Sequence, residues 1–309
     1  MAGNEKGSAV MAVTRIQVQS ILFNNEPHDI KRALEAINRA ATILKRTRNI
    51  VVDVAYGDCS PGKPCMSPDD VKDMEAILTN GTFRYIFFDA NLGSAQGHNR
   101  LAEGVKSGYV LIQNPDVVGA PDYLVHLVEA FDNPACGMAE ARQLPIEHPK
   151  DYDPVTGETS WATTACALIP VDLFVKLEGF DYKTFFLYCD DVDFSWRVRL
   201  EGRRVIFQPA AVVFHDKRLK SDGSWNPSSA ERYYSIEAAL LMAHKYSRPQ
   251  RVEEVLQMCD HLSQDEVFAK AASKFREMRE LGELPEPLDR DHRISEFYND
   301  DYAKHRYVI

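Results

Sequence analysis

From Arg15 onward, short runs of alternating or unbroken apolar residues are separated by longer stretches whose apolar residues fall three and four positions apart. The first pattern has the period of a strand and the second that of a helix. "RIQVQSILF" (15–23) predicts a strand, and Ile30, Leu34, Ile37, Ala41 and Leu44 predict a helix with one apolar face. "NIVVDVAY" (49–56) is the second strand. Ser67-Pro68-Asp69-Asp70 then supplies an N-cap, a proline at the first helical position and acids in the first turn of a helix that stops before Gly81. "FRYIFFD" (83–89), a short helix around Leu101 and Val105, "GYVLIQ" (108–113) and a helix begun by "PDYLVHLVEAF" follow. The order βαβαβαβ predicts an α/β chain with an open, Rossmann-like sheet flanked by helices.

The predicted strands end in polar residues: Asn24-Asn25, Asp58, Asp89 with Asn91, and Asn114 with Asp116. Each is an ordinary turn former when taken singly. Ligands of open parallel sheets bind outside the carboxyl ends of the strands, so the set predicts a polar, nucleotide-like ligand on that edge. Pro115 denies the sheet a donor and turns the chain out of it, which leaves Asp116 over the crevice. A hard divalent cation can bind there through one protein carboxylate and phosphate oxygens.

Composition narrows the class. A formal net charge of -10 in 309 residues argues against a general polyanion binder, so nucleic acid is not an expected partner. The six cysteines are scattered without a CxxC pair or zinc spacing, as expected of reduced thiols in a cytoplasm. No stretch approaches the roughly 18 to 20 apolar residues of a spanning helix, and the N-terminus lacks a signal-peptide core. The expectation is a flexible 1–14, one large domain over 15–250 and a helical extension over 251–309.

In the second half, "FFLYCDDVDFSWRVRLEG" (185–202) gathers Asp190, Asp191 and Asp193 behind an aromatic run. A helix start explains two of them, because Asp190 three residues before Asp193 has capping spacing and acids favour a first turn. Asp191 is left without a structural task. "RRVIFQPAAVVFHDKR" (203–218) predicts two strands ending at His215, which is followed by a loop with Lys217, Arg218, Lys220 and Trp225 that could close over a diphosphate or a sugar. The polar segment 145–161 is expected on the acceptor side. Further on, Ser263-x-x-Glu266 predicts a capping box, and Val267, Ala271, Phe275 and Met278 a packing stripe. The closing "FYNDDYAKHRYVI" could dock on the core, join a homodimer or meet a membrane surface, in that order of preference.

Three segments taken together, "QNPDVV" (113–118), "NLGSAQGHNRLAEG" (91–104) and "FFLYCDDVDFSWR" (185–197), resemble family 2 glycosyltransferases of the GT-A fold, in particular the rhamnosyltransferase-like branch. The resemblance runs in order over about residues 15 to 250. It implies a mixed sheet flanked by helices and an inverting transfer from a nucleoside diphosphate sugar to a glycan or lipid-linked acceptor. It further implies a cytoplasmic setting, peripheral to the inner face of the membrane in some arrangements.

By the same resemblance Asp116 holds Mn2+ or Mg2+, with His215 against the metal or diphosphate. Asp58, in "GDCSPG" (57–62), contacts the base, while Asn91, Gly93 and Asn99 lie near the nucleotide sugar beside Asn24 and Asn114. Asp191 is the general base, and Asp190 and Trp161 face or orient the acceptor. Asp190 stands where the family has Glu, Glu178 replaces a Gly, and Thr163-Thr164-Ala165 replaces a Gly-containing turn, so a differently shaped donor pocket is expected. Two other functions share this kind of fold. A sugar nucleotidyltransferase would show a Gly-rich, basic loop after strand one, where this chain has "NNEPHD"; a non-catalytic glycan-binding protein would keep the fold without turnover.

Overall fold

A computed structural model describes residues 13–106, 108–147, 151–215 and 227–297, together with Tyr302. The N-terminal dozen, the loop carrying Lys217, Arg218, Lys220 and Trp225, and most of the closing segment lie outside the described residues.

The first half follows the predicted order: β1 (Arg15–Leu22), α1 (Pro27–Arg48), β2 (Val51–Asp58), α2 (Pro68–Ile77), β3 (Phe83–Phe87), α3 (Gly93–Ala102) and β4 (Tyr109–Gln113). Helix α1 buries Ile30, Leu34, Ile37, Ala41 and Leu44, and ends at Asn49, whose left-handed backbone (φ 55°) suits Asn. At the start of α2 the Ser67 side chain accepts from the Asp70 backbone and the Asp70 carboxylate accepts from the Ser67 backbone, so the sequence signal there is a complete capping box.

The second half continues with β5 (Val117–Gly119), α4 (Tyr123–Glu129), β6 (Cys136–Leu144), β7 (Glu158–Thr159), β8 (Cys166–Pro170), α5 (Val171–Lys176), α6 (Asp190–Leu200), β9 (Arg204–His215), α7 (Ser229–Lys245), α8 (Pro249–His261) and α9 (Glu266–Leu281). Two expectations are corrected here. The pair of strands expected over 203–218 is one strand, β9, whose register against β6 jumps from Gln208 opposite Ala141 to Val212 opposite Arg142. The extra residues bulge out at Pro209, which has no N–H to give the ladder. The capping box expected at Ser263 is not formed, because α9 begins two residues later, with Asp265 as its N-cap accepting from the Val267 backbone instead.

The described strands form one sheet in the order β3-β2-β1-β4-β8-β6-β9-β5, with β7 against β9. β1 to β4 are parallel, β8 is antiparallel to β4 and to β6, and β6 is parallel to β9. It follows that β6 and β9 run with β1–β4 and bring Leu144 and His215 to the edge where the polar strand ends collect. Helices α1, α2 and α4 cover one face and α3, α5 and α6 the other, and β4 serves both by alternation: Leu111 joins the first core, Val110 and Ile112 the second.

A third apolar cluster joins the extension to α6 through Trp196, Leu241, Leu256 and Phe275. The two described aromatic residues of the closing segment dock on that core: Phe297 lies 5.2 Å from Trp196 and Tyr302 lies 5.4 Å edge-on to Trp161, measured between ring centroids. Among the described residues no helix is long and apolar enough to cross a membrane.

Candidate active site

The turn that follows β4 is built from within. The Asn114 backbone N–H donates to Ala165 O (2.9 Å) and its carbonyl accepts from Val117 N (3.1 Å). Buried Gln113 donates to Val117 O (3.1 Å) and accepts from the Tyr123 hydroxyl (2.8 Å). Beyond Pro115 the chain leaves β4 and rejoins the sheet at its far edge, where Val117 pairs with His215. That register explains why two residues a hundred positions apart meet: Asp116 Oδ1 lies 3.4 Å from His215 Nε2.

His215 Nδ1–H donates to Gln143 Oε1 (2.7 Å), and Gln143 Nε2 donates to Thr163 Oγ1 (2.9 Å). With its proton on Nδ1, a neutral imidazole turns the Nε2 lone pair toward the Asp116 carboxylate. Two electron-pair donors so placed repel unless a positive charge joins them, either a proton on the ring or a cation between the two. Among the described residues no group of three or more His, Cys, Asp or Glu is arranged to hold a metal. What Asp116 and His215 offer is a carboxylate and a tautomer-fixed imidazole, which fit a divalent cation that takes its other ligands from phosphate oxygens and water.

The segment 161–165 reaches both ways. Ala165 holds the Asn114 turn, while the Ala162 N–H donates to Ser195 Oγ (3.0 Å), and Ser195 Oγ–H donates to Asp191 O (2.7 Å). Asp116 and the first turn of α6 are therefore fastened to the same five residues.

The three acids of that first turn have three different environments, none of them the expected cap. The N-cap position is Cys189, left-handed at φ 58° after Tyr188 at φ 70°, and it makes no side-chain cap. Asp193 is fully buried against Arg197 Nε (2.8 Å), Lys245 Nζ (2.5 Å) and the Tyr246 hydroxyl (3.0 Å). Lys245 also reaches Asp181 (2.7 Å), so the network pins the end of α7 to α6 and to the loop after α5. Asp190 is 5 % exposed, and its Oδ2 has no hydrogen-bond partner among the described residues. Burial first, and then the neighbouring Asp191 charge, push its carboxyl up to about 8. Asp191 is half-buried, with Oδ1 accepting from the Val192 backbone (2.9 Å).

Several of the expected site residues are engaged within the chain itself. Asp58 is fully buried, and its oxygens accept from Ser60 N (2.9 Å), Cys65 N (2.6 Å) and the Tyr85 hydroxyl, so it holds the loop after β2 rather than facing a base. Burial alone would raise its pKa; the hydrogen bonds from Ser60, Tyr85 and Cys65 prevail and keep it below the usual carboxylate range. Asn99 engages its amide with Phe180, donating to the carbonyl (2.8 Å) and accepting from the N–H (2.9 Å), and so ties α3 to the loop after α5. A Cβ on Gly93 (φ 71°) would stand 2.5 Å from Phe186 O, so what approaches this glycine is the chain itself. Trp161 is 5 % exposed and lies edge-on to Tyr302.

Asn91 and Asn24 remain exposed at the carboxyl edge of the sheet; Asn91 Oδ1 accepts from Gly93 N (3.3 Å), and Asn24 is left-handed at φ 54° with its N–H on Ser60 Oγ (2.8 Å). Gln143 was not among the expected site residues. The strand-end rule would have found it had β6 been recognised as a strand.

No protein-family model matches the chain, and no curated protein does. Solved structures do. A mannosyltransferase from Pyrobaculum calidifontis in complex with GDP-Man and Mn2+ superposes with a TM-score of 0.55 at 14% identity, over 87% of this chain and 81% of that one. GalNAc-T7 with UDP, GalNAc and Mn2+ superposes at 0.58 and 13% identity, over 78% of this chain, which spans 51% of that protein's length. The mixed sheet flanked by helices is the GT-A fold.

Proposed function

We propose that this GT-A chain transfers a hexosyl or deoxyhexosyl group from a nucleoside diphosphate sugar to a hydroxyl of a glycan or lipid-linked acceptor, with inversion at the anomeric carbon. The observation that carries the proposal is the shared anchoring of Asp116 and of the α6 first turn on residues 161–165. A cation-type pair and a carboxylate-rich helix start on one support are what a single displacement requires: charge stabilised at the departing phosphate and a base at the incoming alcohol. The two solved relatives were captured with nucleotides or a nucleotide sugar and with Mn2+, which supports a donor and a metal of that kind here.

In the proposed reaction Asp191 takes the proton of the acceptor hydroxyl as it attacks from the face opposite the diphosphate. A positioned carboxylate contributes on the order of 100- to 10,000-fold in such a step. Asp190, held protonated at neutral pH by its burial, adds no second negative charge beside the base. Asp116 and His215 would hold Mn2+ or Mg2+, which when bound supplies positive charge at the phosphate oxygens. The rhamnosyl-type donor and the cytoplasmic setting, at the inner membrane face for a lipid-linked acceptor, rest on the sequence resemblance and on the scattered cysteines.

The test is incubation with a panel of UDP-, GDP- and dTDP-sugars and Mn2+, with the released species identified and the anomeric configuration of the product read by NMR. Nucleoside diphosphate and an inverted product are expected. Pyrophosphate chemistry would make the chain a nucleotidyltransferase, and binding without turnover a glycan-binding protein; either outcome overturns the proposal.

A further inference from the structure

With Trp161 buried, the partly exposed aromatic residues nearest Asp191 in the chain lie just before the start of α6. Phe186 and Tyr188 stand just before Asp190 and Asp191 in the chain and meet the first two turns of α7. The Phe186 and Tyr234 rings stack with centroids 4.8 Å apart at 34°, and Tyr233 stands edge to Tyr234 at 5.1 Å. The Tyr188 hydroxyl donates to Glu231 (3.5 Å) and that of Tyr233 to Glu237 (2.7 Å). All four rings are half-buried, and each keeps part of its surface in solvent. One end of this wall abuts Gly93 at the start of α3, on the crevice edge.

We propose that this wall is a subsite for a neutral pyranose ring of the acceptor, one that stacks its C–H face on the Phe186–Tyr234 pair while the flanking carboxylates and hydroxyls take its equatorial hydroxyls. The inference rests on the transferase reading and names where its acceptor binds. The chemistry of the wall selects among occupants. A lipid tail would desolvate Glu231 and Glu237 without giving them partners. A phosphate would face those two acids, while Arg232 is already paired with Asp265 and lies over the Phe268 ring, and Lys270 is held over the Tyr233 ring at 5.1 Å. A neutral polyol satisfies both halves: apolar C–H groups for the rings, and hydroxyl donors for carboxylates that accept only.

Saturation-transfer NMR of the full chain with Mn2+ and UDP or GDP tests this, with the methyl glycosides of mannose, glucose, galactose and rhamnose as probes and inorganic phosphate as the charged control. Saturation of one glycoside's ring C–H protons is expected. Tyr234→Phe should retain it, and Tyr234→Ala and Tyr234→Leu should each weaken the affinity about tenfold, the size of one aromatic stacking contact. Thermal melting of each variant identifies one that has not folded, in which case the other decides. Saturation of no glycoside, affinity unmoved in the folded Ala or Leu variant, or displacement by phosphate overturns the subsite. Glycoside saturation without turnover of any nucleotide sugar would leave the subsite standing and overturn the transferase reading alone.

Discussion

A carboxyl group in the first turn of a helix ordinarily gains from the helix dipole, yet the Asp190 side chain is turned into the protein, where burial outweighs that gain. A carboxyl whose folded pKa is raised binds its proton more tightly in the folded than in the unfolded chain. Its contribution to stability is therefore complete below the unfolded value near 4 and declines as pH rises through about 8. Asp190→Asn should remove that decline, so melting curves of variant and wild type should diverge in the variant's favour between pH 5 and 9. Parallel curves would mean that Asp190 is ionised. Its neighbour carries a different expectation: Asp191→Asn should lower turnover at least about 100-fold while leaving nucleotide affinity, read by calorimetry, within about twofold. Asking which acid capping left idle singled out Asp191 in the sequence, but that reading placed both Asp190 and Asp193 in a cap that does not exist. What removed the cap was tertiary: a buried lysine fifty positions downstream claims Asp193.

At the scale of elements, α6 is held by that lysine. Lys245 is almost fully buried between Asp181 and Asp193, with Arg197 and Tyr246 completing the set. Removing one partner of a buried ion network leaves the others uncompensated, so Lys245→Met should cost about 3–5 kcal/mol in denaturant unfolding. A loss under 1 kcal/mol would show the network to be dispensable. The elements legible in the sequence were those whose signals are local. α1 and α2 carry apolar stripes with proline at the first helical position, and β1 to β4 are apolar runs bounded by turn residues. β6 was illegible because Gly137, Ala139, Glu140 and Ala141 are poor strand formers, made a strand only by the neighbours that bury them. Pro209 made β9 look like two strands, since a bulge that absorbs a proline is a property of the pair and not of one strand.

For the whole molecule, the boundary expected near residue 250 divides a sequence pattern but not a core. Trp196 of α6 packs with Tyr246, Leu256, Phe275 and Phe297 in one cluster, and Arg199 donates to Ile294 O (2.9 Å). A chain ended at Arg248 would expose this surface. It should lose cooperative melting by circular dichroism and sediment as aggregate, whereas a soluble fragment melting within a few degrees of the full chain would make the extension a separate unit. The polar strand ends were legible as a set, but the tasks of the individual residues were not. Asn24 and Asp89 (φ 51°) do the turn work their residue types suggest, and Asp58 and Asn99 are spent on holding loops.

The stretch from Trp161 to Ala165 leaves this protein little freedom in one particular respect. One side of it is stitched to the corner bearing Asp116 and the other to the serine beneath Asp191, so neither acid can drift without dragging its counterpart along. Lengthening it by even one residue would throw the two out of step.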